Sequence, residues 1–181
     1  MNSSIVNENT KILQVTSAGW SREKARNIFF HFNERYSNID IVWTASDGMA
    51  LGVMDAIYSD LSKVSRKKVV IGGIDWTPEA IRMIKKKRLD ASVGGHFMQA
   101  AWALVKIYDQ HHGMKVFKKG KSSFTYELEV ITADNVNQYM PIAETTDWSK
   151  VDFKRFTLFN NPEVKEHNFS FQRVIDQIKL T

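Results

Sequence analysis

The feature that most constrains the fold is an alternation of strand and helix patterns, repeated four times between residues 11 and 111. Each apolar run is followed by a segment with helical spacing, and successive strands begin roughly 25–30 residues apart, as in βα units. Short apolar strands of this kind are typical of a buried parallel sheet. The predicted strands are residues 11–17, 39–45, 68–74 and 89–93, and the predicted helices are residues 21–36, 47–61, a segment opening at 77, and 97–111. We therefore predict a doubly wound, mainly parallel α/β sheet with helices on both faces.

The remainder of the chain lacks this rhythm. A strand is predicted over residues 124–132 and a short helix over residues 133–140, whereas residues 143–181 are polar with scattered aromatic side chains and one helical pattern at 170–178. The predicted organisation is a disordered or cloning-derived start (1–10), an α/β ligand-binding lobe (11–123), a crossover strand and helix (124–142), and a C-terminal wrapping tail (143–181).

Composition excludes several classes of protein. The chain has no cysteine, so it contains neither disulfides nor cysteine-ligated metals. The net charge is +5, but the excess lies in short runs at residues 66–68, 85–88 and 115–121, which are typical of solvated faces. No zinc-finger or helix-turn-helix signature accompanies these runs, so we expect no nucleic-acid partner.

The beginning of the chain bears on its cellular location. No apolar stretch is long enough to span a bilayer, and residues 1–10 lack the basic-then-apolar profile of a signal peptide. Either the protein is cytoplasmic or the chain is a piece of a longer one, and we favour the second interpretation for the reasons given below.

Polar and aromatic residues follow each predicted strand. In doubly wound sheets ligands bind at the carboxyl ends of the strands, so these residues form the candidate site. Carboxylates accept hydrogen bonds from pairs of sugar hydroxyls, arginine donates to sugar oxygens, and indoles stack on the C–H face of a sugar ring. The eight candidate ligand-binding residues are Trp20, Arg22, Ser46, Asp47, Asp75, Trp76, Gly95 and His96.

Some of these residues also have an ordinary structural interpretation. Asp47 stands where it could simply cap the following helix, and a lone histidine such as His96 carries little information. Asp75 ends an apolar strand after two glycines, and a charge in that position needs partners, so a functional role is favoured.

Three further side chains have structural alternatives. Arg22 could pair with Glu23 or Glu34 instead of a ligand. Trp43 alternates into a strand and Trp102 lies on an amphipathic helix, so both indoles are predicted to be core residues.

Enzymatic signatures are missing from the sequence. It contains no G-x-S-x-G, H-E-x-x-H, P-loop or G-x-G-x-x-G motif. Gly48 and Gly52 lie inside a predicted helix and favour close helix–sheet packing over phosphate binding. Asp47 and Asp75 could together do acid–base work, but nothing else supports a reaction. We predict a binding module that uses no cofactor and no metal.

Three segments carry a family resemblance. Residues 18–25 (AGWSREKA), 42–52 (VWTASDGMALG) and 69–75 (VVIGGID) resemble, in order and spacing, the type 1 periplasmic binding proteins. This family includes ribose and galactose receptors, autoinducer receptors and the effector domains of lactose-repressor-type regulators. The resemblance extends from about residue 11 to residue 140.

The resemblance implies roles for individual residues. Trp20 would stack on the sugar, and Asp75 matches the strand-end aspartate that binds sugar hydroxyls. Ser46 stands where the family often has asparagine, and Gly95 and His96 stand where many members have glutamine. These departures argue against ribose as the ligand.

The resemblance also implies a missing half. The family has two α/β lobes that close over a sugar, and this chain matches only the second lobe. We therefore expect a truncated, C-terminal lobe of a periplasmic receptor that would deliver a sugar to an ABC-type permease, with apolar surface left open to self-association. The alternative is a sensory module, either an autoinducer-type receptor working with a sensor kinase or a repressor effector domain.

Overall fold

The computed structural model describes residues 10–59, 69–117, 123–125, 127–144 and 147–179. The helices in these ranges are α1 (Arg22–Arg35), α2 (Asp47–Tyr58), α3 (Pro78–Lys85), α4 (Gln99–His111), α5 (Val136–Glu144) and α6 (Gln172–Lys179). The strands are β1 (Ile41–Trp43), β2 (Val70–Ile74), β3 (Ala91–Gly94) and β4 (Glu129–Thr132), and short 3₁₀ turns occupy residues 96–98, 148–150 and 153–156. The predicted start at residues 1–9 lies outside the described residues. No helix in the described ranges has the length and apolar character that a membrane crossing requires.

The four strands form one sheet in the order β1-β2-β3-β4. β1 pairs with β2, and β2 with β3, in parallel, whereas β4 runs antiparallel to β3. The predicted mainly parallel α/β sheet is confirmed. β4 is shorter than the predicted strand over residues 124–132, and its pairing places Thr132 beside Ala91, at the amino end of β3.

Three helices begin at hydroxyl residues, each of which accepts a backbone N–H three residues ahead. Ser21 Oγ accepts from Lys24, Ser46 Oγ from Met49, and Thr77 Oγ1 from Ala80, at 3.2–3.3 Å. Each side chain satisfies one of the N–H groups that the first turn of a helix leaves without a partner. The cap of α2 is therefore Ser46, and Asp47 is the first helical residue.

One face of the sheet forms the core. Strand register places Ile71, Ser92 and Ile131 on this face, and all three are at most 2% exposed. Helix α2 packs here, and Gly73 permits its close approach because a Cβ at that position would lie 3.0 Å from the Ala50 Cβ. Apolar burial on this face is the main source of stability for the fold.

The opposite face of the sheet is open along β1. Ile41, Trp43, Val70 and Val130 share this face and are 64%, 56%, 40% and 46% exposed. The expectation of helical cover on both faces is therefore not met here, and the prediction that Trp43 is a core residue is wrong. Its indole instead lies over Gly72, the residue opposite it on β2.

The first predicted strand, residues 11–17, is also absent from the sheet. A strand forms only where a neighbour completes its hydrogen bonds, and β1, at the edge of the described sheet, pairs only with β2. The segment instead crosses the end of α1, where Tyr36 Oη donates to the Leu13 carbonyl at 3.2 Å and Arg35 donates to Gln14 at 3.1 Å.

Helices α1 and α2 pack closely through Gly52. A Cβ at this position would collide with the backbone carbonyl oxygen of Arg22. The predicted close packing at Gly52 is therefore between two helices, and not between a helix and the sheet.

The C-terminal tail packs on α4 through an aromatic cluster. The Trp102 indole is 1% exposed, stacks on Phe169 at a centroid distance of 4.9 Å, and contacts Phe156 at the same distance. The prediction of Trp102 as a core residue is confirmed. The predicted helix at residues 170–178 is present as α6, which buries Val174 and Ile175 completely.

A buried carboxylate reinforces this attachment. Asp109 on α4 is 0% exposed, and its two oxygens accept the backbone N–H groups of Leu158 and Phe159 at 2.7 and 3.0 Å. His167 Nε2 lies 2.7 Å from Oδ2 of the same carboxylate, and burial lowers the pKa of this imidazole. One side chain of α4 thus holds two separate points of the tail.

Candidate functional site

The candidate site lies at the carboxyl edge of the parallel strands. Because β1, β2 and β3 are neighbours in parallel register, the loops that follow them meet at one edge of the sheet. Seven of the eight candidate residues lie in or next to these loops or in the turn before α1, and Arg22 opens α1. In the structure, some of these side chains are buried and connect neighbouring elements, whereas others face solvent.

Asp47 is a brace. It is 0% exposed, its Oδ1 accepts Ser92 Oγ at 2.6 Å, and its Oδ2 accepts Thr77 N and Oγ1 at 2.7 and 3.2 Å. Burial raises the pKa of this carboxyl, and the bonds from Ser92 and Thr77 hold it down in part. Asp47 therefore ties α2 to α3 and β3.

Ser46 and Trp76 are likewise buried. Ser46 is 7% exposed and its hydroxyl caps α2. The Trp76 indole is 2% exposed, its Nε1 donates to the Ser92 carbonyl at 3.1 Å, and it packs against Tyr139 and Phe171 at centroid distances of 4.9 and 5.2 Å. The Trp76 ring is therefore largely enclosed by the core.

Asp75 faces solvent. Its backbone N–H donates to the Val93 carbonyl at 2.9 Å, which fixes it at the end of β2, and its side chain is 38% exposed. Asp75 and Trp76 both have positive φ, 127° and 60°, a conformation that costs about 1–3 kcal/mol at a residue other than glycine. This backbone turns consecutive side chains in opposite directions: the indole into the core and the carboxylate outward.

His96 lies beside Asp75. Its Nε2 is 3.4 Å from Asp75 Oδ1, and its side chain is 37% exposed. Gly95, with φ 97°, makes the turn between β3 and the 3₁₀ turn that carries His96, a conformation suited to glycine. The structure therefore brings Asp75 and His96 together as an exposed acid–imidazole pair.

Trp20 is the most exposed indole among the candidates. Trp20 follows Gly19 and itself has a positive φ of 61°, and 73% of the residue is exposed. An exposed ring surface of this size is suited to stacking on the apolar face of a ligand.

Arg22 is engaged by two carboxylates. Its Nε and Nη2 donate to Asp55 at 2.7 and 3.1 Å, and its Nη1 donates to both Glu79 oxygens at 3.0 Å. The hydrogen bond with Asp55 raises the pKa of the guanidinium further. The alternative pairing with Glu23 or Glu34 does not form, since Arg22 instead links α1 to α2 and α3.

Sequence reasoning missed several residues at this edge. Thr77 and Ser92 donate the hydrogen bonds that hold the Asp47 carboxylate. The polar Ser92 inside an apolar strand was the feature of the sequence that could have indicated this role. A groove next to Asp75 was also missed, because part of its wall comes from the distant tail. It is lined by Asp75, Trp76, Thr77, Pro78, Arg82, Phe97, Ile142, Ala143, Glu144 and Trp148.

Among the described residues, no group of three or more histidine, cysteine, aspartate or glutamate side chains is placed to hold a metal ion. The candidate site combines a solvent-facing carboxylate, an imidazole and aromatic surfaces, a set suited to binding a polyhydroxylated ligand.

Known proteins resemble this chain in sequence and in fold. A family model described as a periplasmic binding protein domain matches residues 3–115. The D-allose-binding periplasmic protein of Escherichia coli (strain K12) is 32% identical over 83 residues, which are 46% of this chain and 26% of that protein. A periplasmic sugar-binding protein from Pseudomonas fluorescens is 25% identical, with a TM-score of 0.73 over 87% of this chain and 48% of that chain.

A solute-binding protein of an ABC transporter from Bacillus halodurans, with bound myo-inositol, shares the fold at a TM-score of 0.56 and 23% identity, over 72% of this chain and 43% of that chain. The chain thus spans about half the length of these solved structures. The family match covers more than half of the chain and includes strands β1, β2 and β3. The chain belongs to the periplasmic binding protein family, and it resembles the type 1 sugar-binding members.

Proposed function

We propose that this chain is the C-terminal ligand-binding lobe of a sugar receptor that serves a bacterial ABC-type importer. The observation that carries the proposal is the Asp75 carboxylate, held outward at the carboxyl edge of a periplasmic-binding-protein sheet by a strained backbone. Carboxylates in this setting accept hydrogen bonds from pairs of sugar hydroxyls. The whole receptor would act in the periplasm and pass its sugar to a membrane permease.

The ligand would lie against Asp75, His96 and Trp20. Asp75 would accept hydroxyl hydrogen bonds, His96 Nε2 would contact the same hydroxyls from beside Asp75, and the Trp20 indole would cover a C–H face of the ring. Arg22, Asp47, Ser46 and Trp76 would support this surface from beneath without touching the ligand. The solved relatives are about twice as long, so a second lobe would complete the enclosure of the sugar.

A sensory receptor that signals to a kinase would use the same ligand edge and differ in its membrane partner. The same measurements of sugar binding apply to both assignments. We take the importer as the primary proposal because the relatives with bound sugars are described as solute-binding proteins of ABC transporters.

The Asp75→Asn variant should bind sugar much more weakly than the unmodified chain. Removing the charge removes a charge-assisted hydrogen bond that contributes about 1.5–3 kcal/mol, so the dissociation constant should rise roughly ten- to a hundredfold. Saturation-transfer NMR on the 181-residue chain, with D-allose and myo-inositol at millimolar concentration, measures this change.

Asp134→Asn is the matched control. Asp134 is exposed and lies two residues after Thr132, which pairs with the amino end of β3. Asp75 lies beside the opposite, carboxyl end of that strand. Equal loss of binding in both variants, or no loss in Asp75→Asn, would contradict the assignment of Asp75 as the polar anchor.

We further propose that the chain self-associates through the open face of the sheet. Ile41, Trp43 and Val70 expose a contiguous apolar surface at an edge strand, and such surfaces are rare on monomeric proteins. Sedimentation velocity should show a sedimentation coefficient that rises with concentration, and Trp43→Lys should reduce the rise.

Leu104→Lys is the control for this effect, because Leu104 is 65% exposed on α4, away from the sheet face. A chain that sediments as a monomer throughout the micromolar range would rule out self-association. Equal effects of the two lysine variants would place the contact elsewhere.

A further inference from the structure

The groove beside Asp75 has an aromatic wall that comes from two distant parts of the sequence. Phe97 lies in the 3₁₀ turn after β3, and Trp148 lies in the tail; their ring centroids are 5.9 Å apart at an interplanar angle of 69°. The two residues are 40% and 39% exposed. Both rings are therefore more accessible to solvent than the buried indoles of Trp76 and Trp102.

The tail holds Trp148 in place by local bonds. Asp147 Oδ1 accepts the backbone N–H and the hydroxyl of Ser149 at 3.1 and 2.6 Å, which fixes the 3₁₀ turn that begins at Trp148. Val151, directly after this turn, is 6% exposed and anchors it to the core. The 3₁₀ turn that carries the Trp148 indole is therefore held in place at both of its ends.

Phe97 is supported from behind. Its ring contacts Phe171 edge-to-face at 5.5 Å and Trp76 at 6.3 Å, and both of those rings are buried. On the other side of the groove, Arg82 Nη1 donates to the Ala143 carbonyl at 2.6 Å and so joins α3 to α5. Residues along the groove are therefore held in place by aromatic packing and by a hydrogen bond between α3 and α5.

The groove combines a carboxylate with aromatic surface. Asp75 lies among its lining residues together with Phe97 and Trp148. A monosaccharide needs this combination, because its hydroxyls bond to a carboxylate while its C–H groups contact an aromatic ring.

We propose that Trp148 and Phe97 form the aromatic wall of the monosaccharide site anchored at Asp75, so that the C-terminal tail contributes directly to sugar selection. This inference rests on the proposed function, since it assigns further contacts to the same ligand. Trp148 is a specificity-determining contact, and Phe97 both contacts the sugar and braces the indole.

The test measures sugar binding by the 181-residue chain and its Trp148→Ala, Trp148→Leu and Trp148→Phe variants. Saturation-transfer NMR gives the dissociation constants for D-allose and myo-inositol, and also reports which sugar protons lie against the protein. Trp148→Ala and Trp148→Leu should weaken binding about two- to tenfold, the range expected for loss of one aromatic contact. Trp148→Phe should retain most of the affinity.

A second readout separates contact from mere support. Loss of the indole should reduce saturation transfer selectively at the C–H protons of one sugar face, whereas a structural defect would reduce it uniformly. Tyr58→Ala, an aromatic deletion at an exposed position on α2, should change neither the affinity nor the pattern.

The outcomes distinguish the two proposals. Unchanged affinity and pattern in the Trp148→Leu and Trp148→Phe variants, with sugar still bound, would overturn the aromatic wall and leave the sugar receptor intact. No binding of any sugar by the folded, unmodified chain would overturn the receptor proposal and the wall with it. Uniform loss in the leucine and phenylalanine variants alike would assign Trp148 to support and reject it as a contact.

Discussion

The Trp76→Ala variant should lose about 3–5 kcal/mol of the free energy of unfolding, the cost of removing a fully buried aromatic side chain. The indole is 2% exposed, contacts Tyr139 and Phe171, and donates its N–H to the Ser92 carbonyl. Its removal would leave a cavity and an unsatisfied carbonyl at the end of the sheet. Urea unfolding followed by circular dichroism measures the change.

Trp20→Ala supplies the comparison. This residue also follows a strand-like segment and also has positive φ, but it is 73% exposed, so its removal should change stability by no more than about 0.5 kcal/mol. A small effect at Trp76, or a large one at Trp20, would contradict the assignment of one indole to the core and the other to the surface.

The Asp109→Ala variant should be destabilised by about 3 kcal/mol or more, because it leaves several buried donors without an acceptor. Leu158 and Phe159 would lose the acceptor for their N–H groups, and His167 would lose its carboxylate partner. We expect the tail to detach before the sheet unfolds, which hydrogen exchange would show as early loss of protection in α6.

Asp176→Ala is the control for this prediction. Asp176 lies on α6, is exposed and accepts one hydrogen bond from Gln172, so its loss should matter little. If Asp109→Ala left both the stability and the exchange of α6 unchanged, the carboxylate would not be the attachment point of the tail.

Periodicity predicted most of the architecture correctly. The strands around Val42, Ile71 and Ser92, and the helices between them, follow directly from short apolar runs and helical spacing. The segment 11–17 has the same local pattern but forms no strand, because the pattern cannot show whether a neighbouring strand is present. Trp43 was assigned to the core for the same reason: alternation gives the face of the sheet but not what covers that face.

The loops that carry the candidate residues meet at one edge of the sheet, as predicted, but the direction of each side chain is not encoded in the sequence pattern. Asp47 and Asp75 both follow apolar strands, yet Asp47 turns into the core while the positive φ of Asp75 turns its carboxylate outward. Arg22 was linked to acids nearby in sequence, whereas its partners Asp55 and Glu79 come from two other helices. Trp148 joins the groove only through the path of the tail.

The measurement that tests sugar recognition most directly is a ¹H–¹⁵N NMR titration of the 181-residue chain with D-allose and myo-inositol. We predict saturable shift changes for at least one of the two sugars, concentrated at Asp75, His96 and the residues around them, with the Asp134 turn unaffected. A folded chain whose spectrum stays unchanged at high millimolar sugar would contradict the assignment of this edge as a sugar-binding surface.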